Sequence, residues 1–428
     1  MTDEPSASED GKSEESSEES EATPLLAPAD GVPPVTVYVG DIARAAERLA
    51  AGTGAFAIDA ERASGFRYSN RAYLVQIRRA GAGTVLLDPV SHGVDPVDAM
   101  APIAEVLGTA EWVLHAADQD LPCLAELGMT PQTLYDTELA GRLAGFERVN
   151  LAAMVERLLG LRLTKGHGAA DWSKRPLPDD WLNYAALDVE VLLELRAAIA
   201  DVLEQQGKSR WAAEEFENLR TYVAPPTRRD RWRRTSGIHK VRSPRTLAAV
   251  RELWTTRDRI ASQRDIAPGR ILPDAAIINA ATNDPDSVAK LIELPIFGGS
   301  RQRRNAKVWF DALARARTTE DLPATNEPMV GPPPAVRWSR RKPEAAARLE
   351  AARTALSELS QRVSVPAENL LTPDLVRRLI WDWQPVPDPQ AAVDRFLAEA
   401  GARPWQRELT VPLLAQALSA DQPTDTDS

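Results

Sequence analysis

Three short segments hold residues whose types and spacing could do chemistry together. The first is Asp59-Ala60-Glu61, at the end of the apolar stretch Ala55–Ala60. In a strand, residues i and i+2 face the same side, so both carboxylates project together while Ile58 and Ala60 turn away. Two adjacent carboxylates repel and need a proton, full solvation or a cation. A hard divalent ion such as Mg²⁺ or Mn²⁺ would satisfy them with oxygen ligands. The second segment runs from His115 to Asp120 (HAADQD), where an apolar stretch meets a helix start. His115 at the end of that stretch reads as a hydrogen-bonded core histidine, and either Asp118 or Asp120 stands where a helix cap is common. The third is Tyr184-Ala185-Ala186-Leu187-Asp188. On a helix, i and i+4 stack on one face, so a phenol and a carboxylate would sit one turn apart.

These segments need a strand, a strand-to-helix junction and a helix that converge. Residues 35–206 supply such a pattern. Apolar runs predict strands at Val35–Val39, Ala55–Ala60, Tyr73–Arg78, Thr84–Asp88 and Trp112–His115. Helical periodicity is expected over Ile42–Ala51, Pro96–Leu107, Asp120–Leu127, Leu134–Gly145, Leu151–Leu159 and Asp179–Glu204. The last carries an apolar stripe through Leu182, Leu187, Val191, Leu192 and Leu195. This is an α/β pattern, with helices flanking a mixed sheet. Strand signals stop near Gly207. A basic linker is expected over 207–243, a helical domain over 244–320, a Pro-rich linker over 321–342 and a second helical block over 343–420. Residues 1–34 and 421–428 read as disordered acidic tails.

The order D-x-E, H-x4-D, Y-x3-D resembles the DEDDy group of 3′→5′ exonucleases. The stretch Asp171–Leu195 (DWSKRPLPDDWLNYAALDVEVLLEL), with its W-x-x-R-P-L lead-in, is similar to the ribonuclease D family, as are Phe56–Ile77 and Leu134–Gly145. Arg264–Ile277 (RDIAPGRILPDAAI) resembles the core of an HRDC domain. The resemblance spans about residues 35–420. It implies an α/β ribonuclease H-like exonuclease domain followed by two all-α HRDC-like domains. It further implies two divalent metal ions, Mg²⁺ or Mn²⁺. Asp59 would bridge them, Glu61 and Asp188 would complete one, Asp120 would hold the second, and Tyr184 would orient the attacking water. Asp118 competes with Asp120, which stands five residues after His115 as the family pattern has it. Asp136 stays outside the site as a helix cap. The implied partner is an RNA 3′ end, such as a tRNA precursor. DNA remains open, because metal ligands do not distinguish the sugars, and so does a catalytically silent nucleic-acid-binding scaffold. The domain layout resembles a monomer.

The 428 residues carry a net charge of −11, which at first argues against a nucleic-acid partner. Residues 1–23 hold −8 of it and residues 421–428 hold −3, leaving a neutral body. Within that body residues 228–245 carry +7. Arg231, Trp232, Arg233 and Arg234 there, and Arg301, Arg303 and Arg304 after Gly298-Gly299, are candidate nucleic-acid contacts that combine backbone neutralisation with stacking. Lys165 is a candidate phosphate contact in the Gly-rich loop Thr164–Asp171. The acidic tail is expected to compete for the basic surface. A single cysteine, Cys123, excludes an internal disulfide framework and fits a cytoplasmic protein. No apolar run approaches the length of a membrane span, and the acidic start has no signal-peptide character. The sequence holds no P-loop, dinucleotide fingerprint or nucleophile elbow.

Overall fold

The computed structural model describes residues 22–90, 93–164, 166–222, 230–325 and 331–419. Lys165 and the expected 421–428 tail lie outside them, as do residues 1–21. The α/β domain begins with β1 (Thr23–Leu25), β2 (Val35–Thr36), α1 (Val39–Ala50), β3 (Thr53–Arg62), β4 (Ala72–Ala80) and β5 (Gly83–Leu87). It continues with α2 (Pro96–Leu107), β6 (Trp112–Leu114), α3 (Leu121–Ala125), β7 (Leu134–Asp136), α4 (Thr137–Leu143), α5 (Leu151–Leu159) and β8 (Leu161–Leu163). Helices α6 (Asp179–Glu190), α7 (Leu192–Gln205) and α8 (Ser209–Arg220) complete it. Six strands form one mixed sheet in the order β2-β5-β4-β3-β6-β7. The apolar side chains of β3 divide between its two faces, as alternation requires. Phe56 and Ile58 join the core under α1 and α2, and Ala57 joins the core under α4, α5 and α7.

Several expectations need correction. Residues 22–34 are ordered rather than part of a tail: β1 pairs in parallel with β8, Thr23 opposite Leu161 and Leu25 opposite Leu163. Leu134–Asp136 is the edge strand β7 rather than the start of a helix, and the long helix expected from Asp179 breaks at Val191. The basic linker holds helix α8, whose Ala212 and Phe216 pack into the α/β core. The Pro-rich linker is also built in. Pro332 and Pro333 are buried, Trp338 is fully buried with its indole N–H donating to Pro333 O at 2.7 Å, and Arg377 donates to both proline carbonyls.

The first helical domain contains α9 (Pro244–Arg264), α10 (Pro268–Ile271), α11 (Asp274–Asn283), α12 (Val288–Glu293) and α13 (Ser300–Thr318). The second contains α14 (Trp338–Arg341), α15 (Pro343–Val363), α16 (Ala367–Leu370), α17 (Pro373–Trp381), α18 (Pro389–Glu399) and α19 (Pro404–Ser419). Both share one plan. Helices α9 and α15 are each 21 residues long, start on proline and end at a left-handed residue, Asp265 (φ 46°) and Ser364 (φ 49°). A four-residue helix follows in each. The third residue of each last helix is a buried glutamine whose amide donates back to that short helix: Gln302 to Ile271 O at 2.6 Å and Gln406 to Asn369 O at 2.7 Å. A buried polar group must be paired, so each glutamine pins the last helix to the short helix of its unit.

Candidate active site

The site lies where β3 ends. Asp59 and Glu61 project from one face of this central strand. Gln76, opposite Asp59 on β4, is fully buried and donates its amide to Asp59 Oδ2 at 2.6 Å. Helix α6 brings Asp188 against them, so that one carboxylate oxygen each of Asp59, Glu61 and Asp188 lies within 4.8 Å of the others. The Tyr184 hydroxyl lies one turn earlier on α6, beside the Asp188 carboxylate. Burial raises the Tyr184 pKa, and the nearby Asp188 and Glu61 charges raise it further, so the phenol stays protonated.

Asp120 enters from the junction after β6. It precedes α3 but makes no capping hydrogen bond. Its buried carboxyl instead faces Asp59, whose charge helps raise its pKa, and pairs with Arg62 Nη2 at 3.3 Å. Asp118 is exposed and stands outside this group. The turn that aims Asp120 is tight, with Ala116 in a left-handed conformation (φ 58°). Asp136 fixes that turn. Besides capping α4 through Leu139 N, its carboxylate accepts from Ala116 N at 3.2 Å and Ala117 N at 2.8 Å. Sequence reasoning treated Asp136 as a cap alone; its second job depends on β6 and β7 being neighbours, which local sequence does not state. His115 is half-buried beside the site rather than in the core. Its Nδ1 lies 2.9 Å from Thr137 Oγ1, and burial lowers its pKa to about 4, so it is neutral at physiological pH.

Burial raises the pKa of all four acids, and the charges of their neighbours add to the rise at Glu61, Asp120 and Asp188. Arg62 is the guanidinium that opposes this. A packed group of oxygen donors with such a deficit of positive charge has the composition that a hard divalent cation takes. Beside it is a cleft of about 300 Å³, lined by Asp59, His115, Leu151, Leu163, Gly166 and Tyr184. The loop after β8 closes against the Tyr184 ring. A Cβ on Gly166 would stand 1.8 Å from Tyr184 Cε2, so only glycine fits there. Arg175 of the W-x-x-R-P-L lead-in ties this region to the sheet, donating to Asp88 Oδ2 at 2.6 Å and to Tyr73 O at 2.8 Å.

The nucleic-acid candidates divide. Trp232 is 4% exposed, its indole N–H held by Asp230 at 2.9 Å, and it belongs to the core of the first helical domain. It offers no stacking surface; tertiary burial of a large aromatic overrides its basic sequence context. Arg233 lies over Trp232 and donates twice to Ala324 O. Arg231, Arg234, Arg301, Arg303 and Arg304 are exposed. Among the described residues no helix is long and apolar enough to cross a membrane.

Fold and carboxylate cluster together define a 3′→5′ exonuclease with an HRDC domain behind it. Residues 36–204 match the family model for a 3′-5′ exonuclease, and residues 246–313 match that for the HRDC domain. Residues 331–418 match a model described as a 3′ to 5′ exonuclease C-terminal domain, a description separate from HRDC. Ribonuclease D of Nitrobacter hamburgensis is 31% identical over 338 residues, which cover 76% of this chain and 80% of that protein. The chain belongs to the ribonuclease D family. A Bifidobacterium adolescentis protein of known structure shares 37% identity at a TM-score of 0.84, covering 93% of this chain and all of its own. Escherichia coli RNase D, described as an exoribonuclease involved in structured RNA processing, shares 25% identity at a TM-score of 0.62, covering 86% of this chain and 98% of its own.

Proposed function

We propose that this chain is a two-metal-ion 3′→5′ exoribonuclease that releases nucleoside 5′-monophosphates from RNA 3′ ends, in tRNA or other stable-RNA maturation. The observation that carries this reading is the convergence of Asp59, Glu61 and Asp188 within 4.8 Å, with buried Asp120 beside them, paired with Arg62. Asp59, Glu61 and Asp188 would hold one Mg²⁺ or Mn²⁺, and Asp59 with Asp120 would hold the second. When bound, such ions supply Lewis acidity to a water and neutralise charge on the phosphate and the leaving 3′ oxygen. The protein's own groups do the rest. Gln76 and Arg62 hold Asp59 and Asp120 in their rotamers. The protonated Tyr184, beside Asp188 at the mouth of the cleft, would orient the attacking water through its hydroxyl. Exposed Arg231, Arg234, Arg301, Arg303 and Arg304 are backbone contacts for the RNA. The single, buried thiol of Cys123 and the domain layout support action as a monomer in the cytoplasm.

The test uses 3′- and 5′-labelled RNA and DNA with Mn²⁺, Mg²⁺ or EDTA. Stepwise loss from the RNA 3′ end is expected with metal and none in EDTA. Asp188→Ala should lower the rate about a thousandfold, the scale of losing several kcal/mol of charge stabilisation. Activity surviving in EDTA overturns the metal reading, 5′→3′ polarity overturns the direction, and faster cleavage of DNA moves the substrate class to DNA.

A further inference from the structure

We infer that residues 22–30 are a positioning element of the active site, a strap that clasps helix α6 to strand β8 and so sets the cleft between Tyr184 and the Gly166 loop. The inference rests on the catalytic reading above. The strap lies before the span matched by the exonuclease model, which starts at residue 36.

Three attachments define it. At its start β1 pairs with β8, in a sheet of these two strands alone. Strand β8 leads directly into the cleft wall: Leu163 and Thr164 line it, and Gly166 rests on the Tyr184 ring. Next, Leu26 O accepts from Asn183 Nδ2 at 2.9 Å. Asn183 immediately precedes Tyr184 on α6. Finally, Ala29 N donates to Glu190 Oε1 at 3.2 Å. Glu190 lies two residues after Asp188, and its other oxygen pairs with Arg78 Nη1 at 2.8 Å. Asp30 Oδ2 stands 3.8 Å from the same guanidinium nitrogen. The strap therefore brackets Tyr184 and Asp188 on their own helix while holding the strand that carries the facing wall.

Among the described residues β8 makes no ladder with the main sheet, so β1 supplies its inter-strand hydrogen bonds. An unpaired three-residue strand has little to fix its place. With the strap gone, β8 and the loop beyond it lose their backbone partner, and Gly166 no longer has a set distance to Tyr184. Asp59 and Glu61, on the central strand, keep theirs. The chemistry should suffer through water positioning while substrate grip is retained.

The experiment compares the full chain, a deletion of residues 1–21 that keeps the strap, a deletion of residues 1–31 that removes it, and Asn183→Ala. Each is assayed for kcat on single-stranded RNA with Mn²⁺ and for RNA affinity in EDTA. The 1–21 deletion should retain the full chain's kcat. Relative to the 1–21 deletion, which also lacks the acidic tail, the 1–31 deletion should lose about ten- to a hundredfold in kcat, the scale of a small misplacement of a catalytic group, with the same RNA affinity. A synthetic peptide of residues 20–34 should restore activity to it. Asn183→Ala, which keeps a good helix former, should lose about fivefold in kcat, the worth of one hydrogen bond. If the full chain does not cleave RNA, the proposed function fails. If the full chain cleaves and the 1–31 deletion has its kcat, the strap inference alone fails. A loss of kcat and affinity together, without rescue by peptide, marks general destabilisation and also overturns it. If the deletion does not fold, Asn183→Ala decides, and an unchanged kcat there sinks the inference.

Discussion

Asp265 and Ser364 end equivalent helices in the two helical domains, yet they meet the exonuclease domain through different chemistry. Asp265 is a polar plug. Its carboxylate accepts from Ser69 N at 2.8 Å and from the Tyr73 hydroxyl at 3.2 Å, and it pairs with Arg71 at 3.2 Å. Around it Ala267 N donates to Phe66 O, Arg270 donates to Gly65 O and lies over the Phe66 ring, and Tyr68 bonds Asp258. All of these grip the connection between β3 and β4. At Ser364 the attachment is apolar at its centre. Val365, Leu370 and Trp405 belong to the same hydrophobic cluster as Phe216, Leu143 and Leu195 of the exonuclease domain. Trp405 stacks on Trp211 at 5.0 Å and donates to Glu215, and Gly145 meets Ser364 so closely that a Cβ would stand 2.5 Å from its carbonyl oxygen. One plan thus serves two kinds of joint. The HRDC joint rests mainly on polar contacts that water can replace, with Tyr68 packed on the HRDC core, whereas the C-terminal joint shares a core and cannot separate without exposing it.

The largest break in this contrast should come from Trp405→Ala, which removes a fully buried aromatic from the shared core. A loss of about 3–5 kcal/mol is expected, read by denaturant unfolding, with the exonuclease domain destabilised alongside the C-terminal one. A smaller effect is expected from Asp265→Ala. Losing its hydrogen bonds should weaken the HRDC joint by about 1–3 kcal/mol. Scattering in solution should then show a more extended molecule, while the unfolding midpoint of the exonuclease domain stays put. An equal loss in both domains would erase the contrast.

The mildest lever is pH, and the two joints should answer it in different windows. Burial alone would raise the Asp265 carboxyl, but the Ser69 amide and hydroxyl and the Arg71 charge outweigh it and hold it below its ordinary 3.8. A depressed carboxyl stabilises above its unfolded pKa and loses that contribution as pH falls through the folded one. The HRDC joint should therefore loosen under acid. At the other joint Lys208 donates to Leu143 O at 2.7 Å and to Ser364 O at 3.3 Å, and burial lowers its pKa from 10.5 to about 8. A depressed amine binds more protons unfolded than folded, so this joint should tighten as pH rises from about 8 toward 10.5. Scattering and unfolding across pH should show both joints tightening as pH rises but in separate windows, the HRDC joint in the acid range and the C-terminal joint between about 8 and 10.5; a single shared window would mean that neither group governs its joint.

The pairing of Asp59 with Glu61 and of Tyr184 with Asp188 was legible because strand and helix periodicities are local. The choice of Asp120 over Asp118 came from the family pattern, and the structure gives its physical reason in the inward turn after β6. What stayed hidden depends on distant partners. Strand β1 has three residues and no period to detect; it exists because β8 needs it. Helix α8 lay in a stretch read by its charge, although Ala212 and Phe216 mark a buried stripe. Trp232 and Trp338 each sit beside arginines, and the sequence alone does not tell whether such a ring faces water or a core.

The pairing of β1 with β8 also orders events during synthesis. Thr23 leaves the ribosome long before Leu161 exists to receive it, and closing so long a loop carries an entropic cost that a three-residue ladder repays only once both ends are fixed. The sheet and α6 can form while the strap waits. The segment made early is thus among the last to find its place, and the cleft takes its working width only after the polypeptide beyond α6 has emerged. A nascent chain halted before α6 would hold Asp59, Glu61 and Asp120 but lack both Asp188 and a finished cleft.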